Sequence, residues 1–354
     1  MQSYRRLSKS YRKRKMPNVM DKSKLELWLS ENKVLFVTNS MLRPGGTFLA
    51  SLLTYVCDIP MHNLVVIPGI RLQTDSHGHR TEMPNYGIDV FDEMTKRSLT
   101  DIVWKQFDYA IYIDDDCFIK DFPLLISLFD DFKESGCCLA GPLDGGVFSH
   151  RNHSGILINT FLCFWNLKMM REKATLASYQ AKMIELHKSG RAYEMFLEVL
   201  PDALRDEMTE RANDICQRMR KYRYENFPIK KDGDGWTEYA VTVTDDKDNP
   251  VEPHQVPYSS KIEKQNFEPY YLVEEAWVLL TGRPVYYFNA TDLYDKDADS
   301  DKTDNSGMTS CVFDKDMNAV AYHTWFSRAY SKFPLNELMM KHTLRINKII
   351  SKVL

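Results

Sequence analysis

Five apolar or aromatic residues, Tyr109-Ala-Ile-Tyr-Ile, run straight into three consecutive aspartates, and apolar residues resume at Cys117-Phe-Ile. A run this short, aromatic and β-branched has the make-up of a buried strand. Adjacent carboxylates repel one another, and burying an ionised carboxylate without compensation is costly. Asp114, Asp115 and Asp116 therefore end the strand where positive charge is wanted, and the natural compensator is a divalent cation with hard oxygen ligands. The competing reading is a solvated turn that merely terminates the strand. A plain turn has no need of three acids between two apolar runs.

Comparable strands recur along the chain. Val34-Leu-Phe-Val-Thr opens the folded part near Lys33, Leu64-Val-Val-Ile-Pro follows, and Cys137-Cys-Leu-Ala and Pro284-Val-Tyr-Tyr-Phe come later. Between them lie helical segments at Thr47–Val56, Thr95–Phe107, Pro123–Phe132, with proline in its first turn, and Leu272–Leu280. Alternation of this kind predicts an α/β class, with a mostly parallel central sheet flanked by helices. Ligands of such sheets gather at the carboxyl ends of the strands, where the aspartates fall.

Residues 168–225 differ in character, being rich in Met, Lys, Arg and Glu. Leu204, Met208, Ala212, Ile215 and Met219 recur there at helical spacing, a stripe that belongs to core packing rather than to a cofactor box. The expected organisation is a basic, flexible head over residues 1–30, a domain over 31–335 with 168–225 as a helical insertion, and a C-terminal helix over 336–354. A short strand is also expected at Ala240-Val-Thr-Val.

Net charge is 46 − 49 = −3, so no basic field argues for nucleic acid. The seven cysteines are odd in number and lack C-x-x-C spacing, which points away from a disulfide framework and toward a reducing compartment. No stretch reaches the roughly 18 apolar residues of a membrane span. The basic head, with Arg5, Arg6, Arg12 and Lys13 among its charges, lacks the apolar core of a signal peptide. A cytoplasmic protein is expected, whose head is a solvated tail or a peripheral contact with an anionic membrane surface. The sequons at Asn152 and Asn289 then carry no glycan.

An apolar strand, Asp-x-Asp and further apolar residues resemble the signature of nucleotide-sugar-dependent glycosyltransferases of the GT-A fold, with Asp114 and Asp116 as the outer acids. Two further elements follow in the family's order. Leu272-Val-Glu-Glu-Ala-Trp is similar to its x-Glu-Asp element, and His323-Thr-Trp-Phe-Ser-Arg to its late histidine. The resemblance, over residues 33–330, implies a GT-A type fold and a Mn²⁺ or Mg²⁺ ion held by Asp114, Asp116 and His323. It implies a nucleotide-sugar donor, a UDP-sugar first among them, and a glycan or glycoprotein acceptor. Glu275 takes the place of the general base of inverting members, a departure from Asp, with Glu274 as the fallback. The chain is also similar to cytoplasmic glycosyltransferases of large algal DNA viruses.

By position, donor contacts are expected from Asp115, Asp144, Gly155, Asn159 and Arg328, the last neutralising charge on a leaving diphosphate. Trp165, Trp236 and Trp277 are candidates for sugar stacking, with core packing as the default. No P-loop, G-x-G-x-x-G or H-E-x-x-H occurs, and Asp295-Lys-Asp-Ala-Asp lacks the glycine and glutamate of an EF-hand. Pro44-Gly-Gly resembles instead the opening of the two-Rossmann GT-B type. Alternatives to an inverting glycosyltransferase are a retaining one, a nucleotidyltransferase and a sugar-nucleotide-binding protein without turnover.

Overall fold

The computed structural model describes residues 22–40, 51–56, 59–68, 70–74, 80–84, 87–148, 155–189, 200–226, 243–244, 250–251, 268–292 and 309–324. The helices are α1 (Lys22–Asn32), α2 (Gly87–Thr100), α3 (Phe122–Ser135), α4 (Leu167–Lys173), α5 (Leu176–Ser189), α6 (Asp202–Asn226) and α7 (Tyr271–Thr281). The strands in the first half are β1 (Val34–Ser40), β2 (Leu64–Pro68), β3 (Ile70–Thr74), β4 (Arg80–Pro84), β5 (Tyr109–Ile113) and β6 (Cys117–Ile119). Those in the second are β7 (Leu139–Pro142), β8 (Leu162–Trp165), β9 (Val243–Thr244), β10 (Pro250–Val251), β11 (Val285–Asp292), β12 (Thr309–Phe313) and β13 (Ala319–Thr324).

Nine strands form one sheet in the order β2-β1-β5-β8-β7-β11-β12-β13-β6. It is mixed rather than mostly parallel. β2, β1 and β5 run parallel, as do β7 and β11. β8 is antiparallel to both its neighbours, and β11 through β6 are antiparallel throughout. β5 and β6 lie third and ninth in the order, yet only Asp114–Asp116 separate them in the chain. Laid flat, six interstrand steps of about 4.8 Å would hold them about 29 Å apart, whereas the four peptide steps from Ile113 to Cys117 reach at most about 14 Å. The sheet must therefore curl until β13 and β6 stand beside the end of β5.

Successive residues of β8 face opposite sides of the sheet and show what covers each. Phe164 meets Phe129 and Phe132 of α3, and Phe129 in turn meets Trp28 of α1. Trp165 meets Phe91 of α2 and Trp277 of α7. Both tryptophans are fully buried, so they are core rather than sugar platforms. Trp277 Nε1 donates to Thr95 Oγ1 at 2.9 Å. α3 carries the capping its sequence promises: the Asp121 carboxylate accepts from Leu124 N, and Gly136 ends the helix at φ 66°. α6 packs on β11 and buries the expected stripe of Leu204, Met208, Ala212, Ile215 and Met219.

Several boundaries differ from expectation. The folded part begins earlier than Lys33, because α1 buries Leu25 and Leu29. The helix expected over Thr95–Phe107 spans Gly87–Thr100, with a separate 3₁₀ turn at Trp104–Gln106. β7 starts at Leu139, after Cys137 and Cys138. The 168–225 region holds three helices among the described residues, and their buried faces belong to the main core. Asn289 lies buried in β11, its amide donating to the Asp314 carbonyl at 3.0 Å, so it is no glycan acceptor in the folded chain. Residues 1–21 of the basic head, Pro44-Gly-Gly, Asn152, Trp236, residues 240–242 of the expected strand, the acidic stretch at 295 and residues 336–354, expected as a helix, lie outside the described residues.

β7 approaches the 158–159 segment closely at Gly141. A β-carbon there would stand 2.8 Å from Ile158 Cδ1, 3.1 Å from Ile158 Cβ and 3.3 Å from the Asn159 carbonyl oxygen. Gly141→Ala is expected to lower stability by about 1–3 kcal/mol through overpacking. Urea denaturation checks this. On an Ile158→Ala background the same substitution should cost less, because the closest of the three contacts, that with Ile158 Cδ1, is gone.

Candidate metal centre

The curl delivers His323 to the aspartates. β13 pairs with β6 so that His323 stands opposite Cys117, the residue directly after the triplet. Backbone hydrogen bonds fix the turn between the strands: Cys117 N donates to the Asp114 carbonyl at 3.1 Å, and Thr324 N to the Asp116 carbonyl at 3.2 Å. Asp114 N donates to the Phe161 carbonyl at 2.9 Å, which ties the triplet to the segment leading into β8.

One ligand atom from each of Asp114, Asp116 and His323 lies within 4.8 Å of the others. His323 Nε2 stands 3.1 Å from Asp116 Oδ1, and its ring stacks flat on Phe161, centroids 4.3 Å apart and 4° between planes. Asp116 and His323 are buried, and Asp114 is half-buried. Donors bound to one ion at about 2.1 Å stand roughly 3 to 4.2 Å apart, so small side-chain adjustments bring this group onto a cation. The arrangement is able to hold a metal ion. Two carboxylates with one imidazole suit a cation that accepts both oxygen and nitrogen ligands.

Asp115, the middle acid, is fully buried beside the carboxyl end of β1. Tyr55 lies near Asp115 and against Thr38 of β1, Ser51 lies against the aspartate turn, and these side chains and Asn39 are all buried. Ser51 Oγ donates to the Cys117 carbonyl, and Thr54 Oγ1 accepts from Ile119 N at 3.0 Å, so the 51–54 turn covers the outer edge of β6. Tyr55 faces Thr38 without a hydrogen bond of standard geometry, and burial first, then Cys117, Asp115 and Asp114, pushes its phenol up. These β1-end residues escaped the sequence reading. Thr38-Asn-Ser follows an apolar strand, but short polar residues end many strands.

Asp144 and Asn159 are brought together, and each serves the other. Asn159 Nδ2 donates to Asp144 Oδ1 at 2.8 Å, while Tyr270 at 2.9 Å and Tyr271 donate their hydroxyls to Asp144 Oδ2. Both residues thus spend donor or acceptor capacity on an internal network that anchors the start of α7. Gly155 is buried at the start of the segment that leads to Ile158. Arg328 lies outside the described residues.

Glu274 and Glu275 sit in the first half of α7, fully buried. Glu274 Oε2 accepts from Ile158 N at 3.1 Å, whereas among the described residues neither Glu275 oxygen has a hydrogen-bond partner. Burial holds both carboxyls well above their ordinary 4.5. For Glu274, Asp144 and Glu275 add to that rise, and the Ile158 N–H opposes it. Burial also raises the Cys163 thiol, and Glu274 and Asp114 both add to it, so α7 and the aspartate turn converge on β8.

No protein-family profile matches the chain, and no curated protein sequence does. Among solved structures it is similar to A197 from STIV, at 15% sequence identity over 41% of this chain and 70% of that chain, with a TM-score of 0.26. A likeness of that size carries no argument about fold or activity. What fold and site define together is a mixed α/β protein with an Asp–Asp–His group within metal-ligand distance. Among the described residues, no helix is long and apolar enough to cross a membrane.

The Glu275 carboxyl makes a test of this electrostatic picture. Its folded state holds a proton that the unfolded chain releases, so its contribution to stability is full below the ordinary carboxylate value and is lost as pH rises toward the raised folded value. Glu275→Gln removes that loss. Between about pH 5 and about pH 8, denaturant unfolding should show the parent protein losing more stability than the variant. Parallel pH profiles would show that Glu275 is ionised in the folded protein.

Proposed function

We propose that the chain is a metal-dependent glycosyltransferase of GT-A type, moving a sugar from a nucleotide donor to a hydroxyl of a glycan or glycoprotein. The observation that carries this reading is the convergence of Asp114 and Asp116, at the end of β5, with His323 from β13. Such a group suits Mn²⁺ better than Mg²⁺, because one ligand is an imidazole. The ion, when bound, supplies positive charge to a diphosphate leaving group.

The chain's own residues take the remaining roles. The nucleoside is proposed to bind at the carboxyl end of β1, near Thr38 and Asn39, where ligands of such sheets gather; both side chains are buried, so the site must open to admit it. Glu275 accepts the proton of the attacking hydroxyl once acceptor binding opens its enclosure and lets the carboxyl ionise. Its oxygens are uncommitted among the described residues, whereas Glu274 is tied to the Ile158 amide, and this favours Glu275 over its neighbour. The Glu275 carboxyl is enclosed, so this role requires the surrounding segments to part when acceptor binds. The product's anomeric configuration is then inverted. Retention would leave Glu275 as a buried, protonated core residue.

Purified protein incubated with Mn²⁺ and common nucleotide sugars tests the reading. Slow donor hydrolysis to free sugar and nucleoside diphosphate, abolished by chelator and by Asp116→Asn, is the expected outcome. Glu275→Gln should cut turnover by about 10²–10⁴ with donor affinity unchanged. Pyrophosphate released from a nucleoside triphosphate would identify a nucleotidyltransferase instead, and donor binding without turnover a non-catalytic binder. Full activity in excess chelator would sink the metal assignment.

A further inference from the structure

Phe161 meets the metal centre at two points and the α7 network at a third. Its carbonyl accepts from Asp114 N at 2.9 Å, so it sets where the aspartate turn begins. Its ring lies flat against His323, 4.3 Å away and 4° from parallel. Its own N–H donates to Asn159 Oδ1 at 3.3 Å, and Asn159 is held by Asp144, which also accepts from Tyr270 and Tyr271. The residue is almost completely buried, at 1% exposure.

The flat contact separates this pair from ordinary core packing. The neighbouring aromatics on β8 and α3 meet tilted or in looser stacks: Phe164 crosses Phe129 at 61° and Phe132 at 52°, while Trp165 lies over Phe91 at 25° and 5.0 Å and Phe122 over Phe36 at 28° and 5.9 Å. A flat stack covers one face of the imidazole and leaves its edge, where Nε2 faces Asp116 at 3.1 Å, free of the phenyl ring. An imidazole pinned in this way cannot rotate its nitrogen out of line. Groups that orient metal ligands commonly matter to affinity nearly as much as the ligands do.

We propose that Phe161 is the positioning residue of the metal centre. Its ring fixes the plane of His323 and its carbonyl fixes the start of the aspartate turn, so that the three ligands converge before an ion arrives. The role rests on Asp114, Asp116 and His323 holding a metal.

Titration with Mn²⁺, followed by calorimetry or by the loss of the free-ion paramagnetic resonance signal, tests it on the full chain. Phe161→Leu should weaken Mn²⁺ binding by roughly 10–100-fold, and Phe161→Tyr, which keeps the ring, should restore it. Phe164→Leu serves as the packing control: it should lower the melting temperature and leave Mn²⁺ affinity unchanged. Equal affinity in Phe161→Leu and the parent protein would overturn the proposal, whatever happens to stability. Should Phe161→Leu fail to fold, NMR of the parent protein decides, because a ring stacked on Phe161 gives His323 side-chain protons shifted upfield. Unshifted His323 resonances would overturn it. A parent protein that binds no Mn²⁺ while showing the shifted resonances would remove the metal reading, and with it this role, but leave the stack itself intact.

Discussion

Three residues bridge two strands that the sheet order places six steps apart. Asp114, Asp115 and Asp116 are the whole connection between β5 and β6, and a link of that length forbids a flat sheet. From this constraint follow the curl, the return of β13 to the end of β5, and the placing of His323 opposite Cys117. The antiparallel run from β11 through β13 to β6 exists to complete that return. Its exposed edge is then closed by Ser51 and Thr54, whose hydroxyls take up backbone groups of β6.

Buried acids in this interior are accommodated in different ways. Asp144 is surrounded by donors, two tyrosine hydroxyls and an amide, which satisfy a carboxylate without any cation. Glu274 and Glu275 are driven by burial toward their neutral forms. Asp116 instead faces a histidine nitrogen, with the half-buried Asp114 at ligand distance beside it. That contrast makes the β5 end, rather than α7 or the Asp144 network, the place where a cation would contribute most.

Much of the fold was legible in local pattern. β1, β2, β5 and β11 are short apolar runs, α3 carries an aspartate cap and a glycine stop, and the α6 stripe falls at helical spacing. α1 was missed because its sequence, Lys22 to Asn32, is polar overall and buries little beyond Leu25 and Leu29. β6, β8, β12 and β13 were missed because they are three to six residues long, and a run that short takes its identity from its partners. The direction of pairing was illegible for the same reason, since the antiparallel half depends on strands that only the assembled sheet stabilises.

His323 stood out only through the resemblance to GT-A glycosyltransferases; the sequence by itself determined that three acids, Asp114 to Asp116, end a buried strand and that helices and strands alternate. Local chemistry suffices for this, because charge repulsion, periodicity and capping act over a few neighbouring residues. Tertiary structure alone decided that His323 meets Asp116, that Phe161 lies flat beneath the imidazole, and that Glu275 is enclosed rather than exposed. Each of these joins segments far apart in the chain. Which distant side chains meet is set by how the strands order themselves and by how far a three-residue link can reach.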